Sequence, residues 1–176
     1  TFCTQCPTGY AKGIAEQGSC DVCAAGQIAP VVASLSCESC IKGKYVESAQ
    51  QGTAQLICKL CPEGWHVSNP ASASCKECAL GTYAEINGLQ YCKDCDPGTF
   101  SNVKAATMCI DCAKGKQTEV HKSSACKLCT TGRYTADTRS ITCHICPKGT
   151  FSPGRAAHTF CTQCPTGYAK GIAEQG

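Results

Sequence analysis

Large apolar side chains are scarce in this sequence. Leu, Ile, Val and Phe make up 26 of the 176 residues, about 15%, below the roughly 20% under which chains tend to stay disordered. Trp and Met occur once each. A chain of this length ordinarily folds around one apolar core, and this one lacks the residues to build it. The nominal hydrophobic fraction of 43% is misleading, because it counts 20 Cys and many Ala. Something other than a packed core must hold the chain together.

Other absences narrow the function. No apolar run approaches the roughly 20 residues of a membrane span; the longest candidate, Ile28 to Ala33, is interrupted by Pro30. No window of about 11 residues carries helical periodicity. The net charge is only +3, and the 13 Lys and 3 Arg are scattered, so no basic patch points to nucleic acid or a membrane surface. Nucleophile elbows, phosphate loops and zinc-protease motifs are missing, and Asp and Glu form no repeated pair suited to acid-base work or calcium. No Asn lies in a glycosylation sequon: Asn69 precedes Pro70, and neither Asn87 nor Asn102 has Ser or Thr two places later. O-linked sugar on the abundant Ser and Thr stays open. No signal peptide is visible, but Thr1 falls in mid-repeat, as expected of an excerpt.

What the sequence has is cysteine in a strict pattern. Twenty Cys in 176 residues mark a disulfide scaffold and an oxidising compartment, the cell surface or exterior. Every Cys belongs to a C-x-x-C pair, and the pairs begin at Cys3, Cys20, Cys37, Cys58, Cys75, Cys92, Cys109, Cys126, Cys143 and Cys161. The interval is 17 residues except for 21 after Cys37 and 18 after Cys143. A Gly follows three residues after the second Cys in all ten units, from Gly9 to Gly167. The expected organisation is one continuous tandem array over residues 1–176.

A longer period overlies the short one. Residues 1–18, TFCTQCPTGYAKGIAEQG, recur unchanged as 159–176, giving a superperiod of 158 residues and nine units. Either the parent is a long array of such periods, or the chain spans one filament repeat and overlaps its successor. The bland reading is a duplicated tag-like end.

Within a unit, Cys6-Pro7-Thr8-Gly9 has the residue preferences of a type I turn, with Pro second and Gly fourth. Where Ala24, Ile41, Ala79, Asp96, Ala113 or Thr130 replaces the Pro, the Gly stays, so the Gly is expected to hold φ > 0 or a close chain contact. An aromatic follows shortly after at Tyr10, Tyr45, Trp65, Tyr83, Phe100, Tyr134, Phe151 and Tyr168. It is expected to leave the turn on a short strand and pack on the neighbouring disulfide. The fold class is small disulfide-rich repeats: an elongated, solenoid-like rod of irregular short strands and turns with little or no helix. Each unit should touch mainly its neighbours, and nine units at about 10 Å apiece would advance roughly 90 Å.

Connectivity does not follow from spacing alone, but one argument discriminates. Matching C-x-x-C pairs two by two would leave one of nine units unmatched, forcing identical periods to alternate their bonding. Joining the second Cys of each unit to the first of the next treats every unit alike. It gives Cys6–Cys20, Cys23–Cys37, Cys40–Cys58, Cys61–Cys75, Cys78–Cys92, Cys95–Cys109, Cys112–Cys126, Cys129–Cys143 and Cys146–Cys161, with Cys3 and Cys164 bonding outside the window.

The string CPKGTFSPGRAAHTFC, Cys146 to Cys161, resembles the ephrin-receptor-like cysteine-rich repeat and, more distantly, the first loop of tumour necrosis factor receptor modules. In those modules a C-P-x-G-x-Y loop closes onto the next Cys, which implies the same pairing. The resemblance spans the chain but rests on Cys, Gly, Pro and one aromatic, so it speaks to fold more than function. The additional cysteines of the receptor modules are missing, so their ligand contacts are not carried over.

The rival chemistry is zinc, because C-x-x-C, 13 residues, C-x-x-C approaches the four-cysteine ribbon spacing. The odd number of units and the density of sites oppose it. Redox catalysis would need one activated thiolate in a thioredoxin-like fold, not ten interchangeable pairs. His66, His121, His144 and His158 fall at unrelated positions and read as surface side chains; Trp65 reads as core. No catalytic, cofactor or metal site is expected, and the chain is read as not an enzyme. The first functional expectation is the repeating core of an extracellular filament or surface fibre, such as a protist appendage or coat, associating head to tail. The second is a receptor or adhesin ectodomain, with the expansion at Ser48 to Leu56 as its binding patch.

Overall fold

The computed structural model describes residues 4–13, 18–47, 57–153 and 157–168. Among them there is no helix, and every strand is two residues long. The chain divides into two compact bodies, one comprising Thr1–Cys78 with Ala84–Lys93 and the other Ala79–Tyr83 with Asp94–Gly176.

Both bodies are made of the same piece. A short strand after each conserved Gly pairs antiparallel with the two residues between the cysteines of the next C-x-x-C. In the first body Tyr45 stands opposite Lys59 and Trp65 opposite Glu77; in the second, Phe100 stands opposite Ile110 and Tyr134 opposite His144. Two-residue hairpins are marginal in water. Each is clamped by a disulfide from the Cys before its turn to the Cys that opens its second strand, and these bonds are Cys6–Cys20, Cys23–Cys37, Cys40–Cys58, Cys61–Cys75, Cys78–Cys92, Cys95–Cys109, Cys112–Cys126, Cys129–Cys143 and Cys146–Cys161. Cys164 joins no disulfide among the described residues, and Cys3 lies outside the described residues.

The turn differs from the expectation by one residue. The closing bond runs from the amide of Tyr10 to the carbonyl of Pro7, and likewise from Trp65 to Pro62 and from Thr150 to Pro147. Pro is therefore the first residue of the turn and Gly the third. With φ of 84° at Gly9 and 80° at Gly64, the pattern is type II, not type I. The shift explains the freedom at the Pro position. That residue contributes only a carbonyl to the turn, so Ala24, Ile41, Asp96 and Thr130 serve as well. A Thr after the Gly reinforces the same carbonyl: the Thr82, Thr99 and Thr150 hydroxyls donate to Ala79, Asp96 and Pro147 at 2.7–2.8 Å.

The core is also not where the aromatics are. Trp65, Tyr83, Phe100 and Tyr134 are only half-buried. Burial belongs to the second Cys of the first nine pairs and to the residue three places after the conserved Gly: Ala29, Val46, Val67 and Ala84 in the first body, Ser101, Thr118, Thr135 and Ser152 in the second. That second residue is held by backbone. Its carbonyl accepts the amide of the preceding unit's Gly, as in Gly26 to Val46 at 2.8 Å and Gly98 to Thr118 at 2.8 Å. The column is aliphatic in the first body and hydroxylic in the second. There Thr118 pairs with Ser123 at 2.6 Å and Thr135 with Ser140 at 2.5 Å, Ser101 donates to the Val103 carbonyl at 3.0 Å, and the buried Ser152 Oγ has no partner among the described residues; a hydrogen bond offsets the cost of burying a hydroxyl.

Val46 and Thr135 are among the largest side chains that are fully buried, which measures how small the apolar contribution is. Val46→Ala should lower stability by about 2 kcal/mol, the loss of two buried methyl groups plus a partial cavity. Thermal denaturation under non-reducing conditions checks this, and an unchanged midpoint would show that the column does not carry core energy.

Candidate functional site

The conserved Gly makes a small socket. The type II turn gives it a left-handed backbone, and from Gly9 to Gly132 its amide is committed to the next unit. At four of these positions a carbonyl oxygen from the unit after that presses on its Cα. The Ala71 oxygen lies 2.0 Å from where a Cβ on Gly26 would stand, the Gly88 oxygen 2.1 Å from that of Gly43, the Lys122 oxygen 2.1 Å from that of Gly81, and the Arg139 oxygen 2.2 Å from that of Gly98. Only a residue without Cβ admits such an approach. Within each body a unit thus touches both its successor and the unit beyond, where the sequence reading expected mainly nearest neighbours.

The group that enters the socket is itself special. Ala71, Lys122 and Arg139 have φ of 52°, 59° and 57°, a left-handed conformation that costs an L-residue roughly 1–2 kcal/mol. Each gives its amide to the second Cys of the intervening unit: Ala71 to Cys40 at 2.8 Å, Lys122 to Cys95 at 2.9 Å, Arg139 to Cys112 at 2.8 Å. One residue thereby ties down two earlier turns. Sequence reasoning missed this partner, because of the positions at 71, 88, 105, 122 and 139 only Gly88 is a glycine. The constant 17-residue interval was the available signal.

Charged groups decorate these contacts without forming a reaction centre. Asp96 meets His121 Nδ1 at 3.6 Å and Arg139 at 4.0 Å, and Asp94 meets Lys122 at 3.9 Å, all with exposed side chains. Such pairs are worth about 0–1 kcal/mol. A shallow, open depression of about 230 Å³ in the second body is lined by Gln117, Glu119, Leu128, Arg133 and Ile141 among others. Arg133 there already donates to the Cys143 carbonyl at 3.2 Å. His144 stacks at a tilt on Tyr134, ring centres 6.0 Å apart. His66 and His158 depart from the surface expectation, for His66 Nδ1 and His158 Nε2 are buried without a partner. The structure brings no two of the four histidines together with a nucleophile. The expansion at Ser48 to Leu56 falls outside the described residues. Cys164 is the one described cysteine outside a disulfide.

Residues 132–173 match the model of the family described as tyrosine-protein kinase ephrin type A/B receptor-like. The chain is therefore similar to the ephrin-receptor-like cysteine-rich repeats over that stretch, and the repeated disulfide units carry the likeness. No curated protein matches the chain. Repeats of this kind are typically non-enzymatic, and their disulfide density points to an extracellular or cell-surface location. No helix among the described residues is long and apolar enough to cross a membrane.

Proposed function

We propose that this chain is the structural repeat of an extracellular filament or cell-surface fibre, stapled by disulfides between units and continued head to tail. The observation that carries the reading is the unchanged recurrence of residues 1–18 as 159–176. Units inside the period vary freely at most positions other than Cys and Gly. A period that restarts verbatim fits a chain built to be continued. The uniform unit-to-unit register in both bodies supports it, since an interface that repeats without closing generates fibres. O-linked sugars on the exposed Ser and Thr fit such a surface, and nucleic acid is not a proposed partner.

A second reading is favoured by one observation, the match of residues 132–173 to a receptor-like family. It makes the chain the stalk or ligand-binding part of a receptor or adhesin ectodomain. Electron microscopy of native, unreduced material separates the two. Long filaments with a regular axial repeat that collapse on reduction are expected; discrete short rods would replace the fibre by the ectodomain.

A further inference from the structure

The chain contains its own internal comparison. Residues 162–168 repeat residues 4–10 without change. At the first occurrence Gly9 donates to the Ala29 carbonyl at 2.7 Å, Cys6 is buried and Tyr10 half-buried. At the second, no atom lies within 4 Å of the Cβ position of Gly167, Cys164 is half-buried and Tyr168 is 75% exposed. Identical residues thus differ in burial, and the packing of the first copy is supplied by the units that follow it.

Gly149 shows the same openness one unit earlier. Its φ of 77° matches the 81° of Gly43 and the 83° of Gly98, so the socket is formed. Yet nothing stands within 4 Å of its Cβ position, where Gly43 and Gly98 each meet a carbonyl near 2 Å. The sockets at Gly26, Gly43, Gly81 and Gly98 each take the left-handed residue two units further on, and Gly115 meets Ala157, also two units on. Counting two units on from Gly149 through the recurring segment reaches the counterpart of the unit closed by Cys23–Cys37. Its left-handed residue is Ala33, φ 58°.

We infer that Gly149 is a docking socket for the Val31–Ala33 turn of a following period of this same chain. The inference rests on the array reading proposed above and names the contact that joins one period to the next. Ala33 is already set in the required register. Its amide is bonded to the Cys6 carbonyl at 2.8 Å, just as those of Ala71 and Arg139 are bonded to Cys40 and Cys112. The turn is therefore preorganised, which lowers the entropic cost of docking.

The test compares the present chain with one carrying two successive periods, by amide hydrogen exchange. In the two-period chain the amides of Gly149 and of the second Val31–Ala33 turn are expected to exchange at least tenfold more slowly than in the single period. Gly149→Ala in the first period should abolish that protection, while shifting the single-period melting midpoint by far less than Gly98→Ala does. Ala33→Pro in the second period, which leaves the glycine intact and removes the left-handed residue and its amide bond to the Cys6 carbonyl, should weaken the same protection at Gly149. If the junction is protected and neither variant changes it, the socket is wrong and the array stands. If no junction protection develops, the array reading falls and the socket with it.

Discussion

Gly98→Ala is expected to destabilise the second body by about 4 kcal/mol, the range reached only by a specific steric mechanism. Two effects combine at this position. The backbone sits at φ 83°, where an L-residue is strained by roughly 1–2 kcal/mol. The new Cβ would then stand 2.2 Å from the Arg139 carbonyl oxygen and 2.8 Å from its carbon. Overpacking of this kind costs roughly 1–3 kcal/mol, and backbone cannot swing aside as a long side chain can. Relief by displacement would break the Gly98 to Thr118 and Arg139 to Cys112 hydrogen bonds, each worth about 1 kcal/mol. Thermal denaturation with the disulfides intact measures the loss. Gly98→Asn separates the two causes, because Asn tolerates the left-handed region but still brings a Cβ. Asn should be nearly as damaging as Ala. A near-wild-type Asn variant would show that conformation alone, and not the carbonyl contact, fixes glycine here.

The same residue shows what the sequence discloses and what it hides. Ten Gly at a fixed offset from ten C-x-x-C pairs announce a backbone constraint at Gly98, and the disulfide-rich, helix-free fold class follows from composition and spacing. The partner in the constraint is invisible, because Arg139 looks like any surface cation. It acts through its main chain, which no side-chain pattern records. The buried column is obscured for a related reason. Val46 and Ser101 occupy equivalent places, so a periodic apolar signal vanishes where hydroxyl pairs such as Thr118 with Ser123 take over. The aromatic at Tyr45 or Phe100 looked like the core because rings bury large areas. On a two-residue strand, with an exposed partner strand opposite, one face of the ring stays in contact with solvent. The turn register is hidden because Pro is commonest at the second position of a turn, whereas Pro7 and Pro62 open theirs.

Reduction of the disulfides is expected to unfold the whole chain, the largest single effect any treatment should have. Seven of the nine bonds close intervals of 14 residues, and the others intervals of 15 and 18. A loop of that size is worth roughly 3 kcal/mol in the chain-entropy model. Complete domains have a net stability of only about 5–15 kcal/mol. Losing even a few such bonds therefore exceeds what the hydrogen-bonded turns and a column of Ala, Val, Ser and Thr can retain. Circular dichroism and small-angle scattering after reduction and alkylation should report an expanded chain, and added zinc should not restore compaction. Because each unit is tied mainly to those that follow it, replacing Cys95 and Cys109 together by Ser should loosen that region while leaving the distant Cys6–Cys20 loop resistant to protease. Non-reducing peptide mapping is the accompanying check on connectivity: each second Cys should be recovered linked to the first Cys of the next pair. Bonds within C-x-x-C pairs, or a reduced chain that stays compact, would overturn this account of what holds the molecule together.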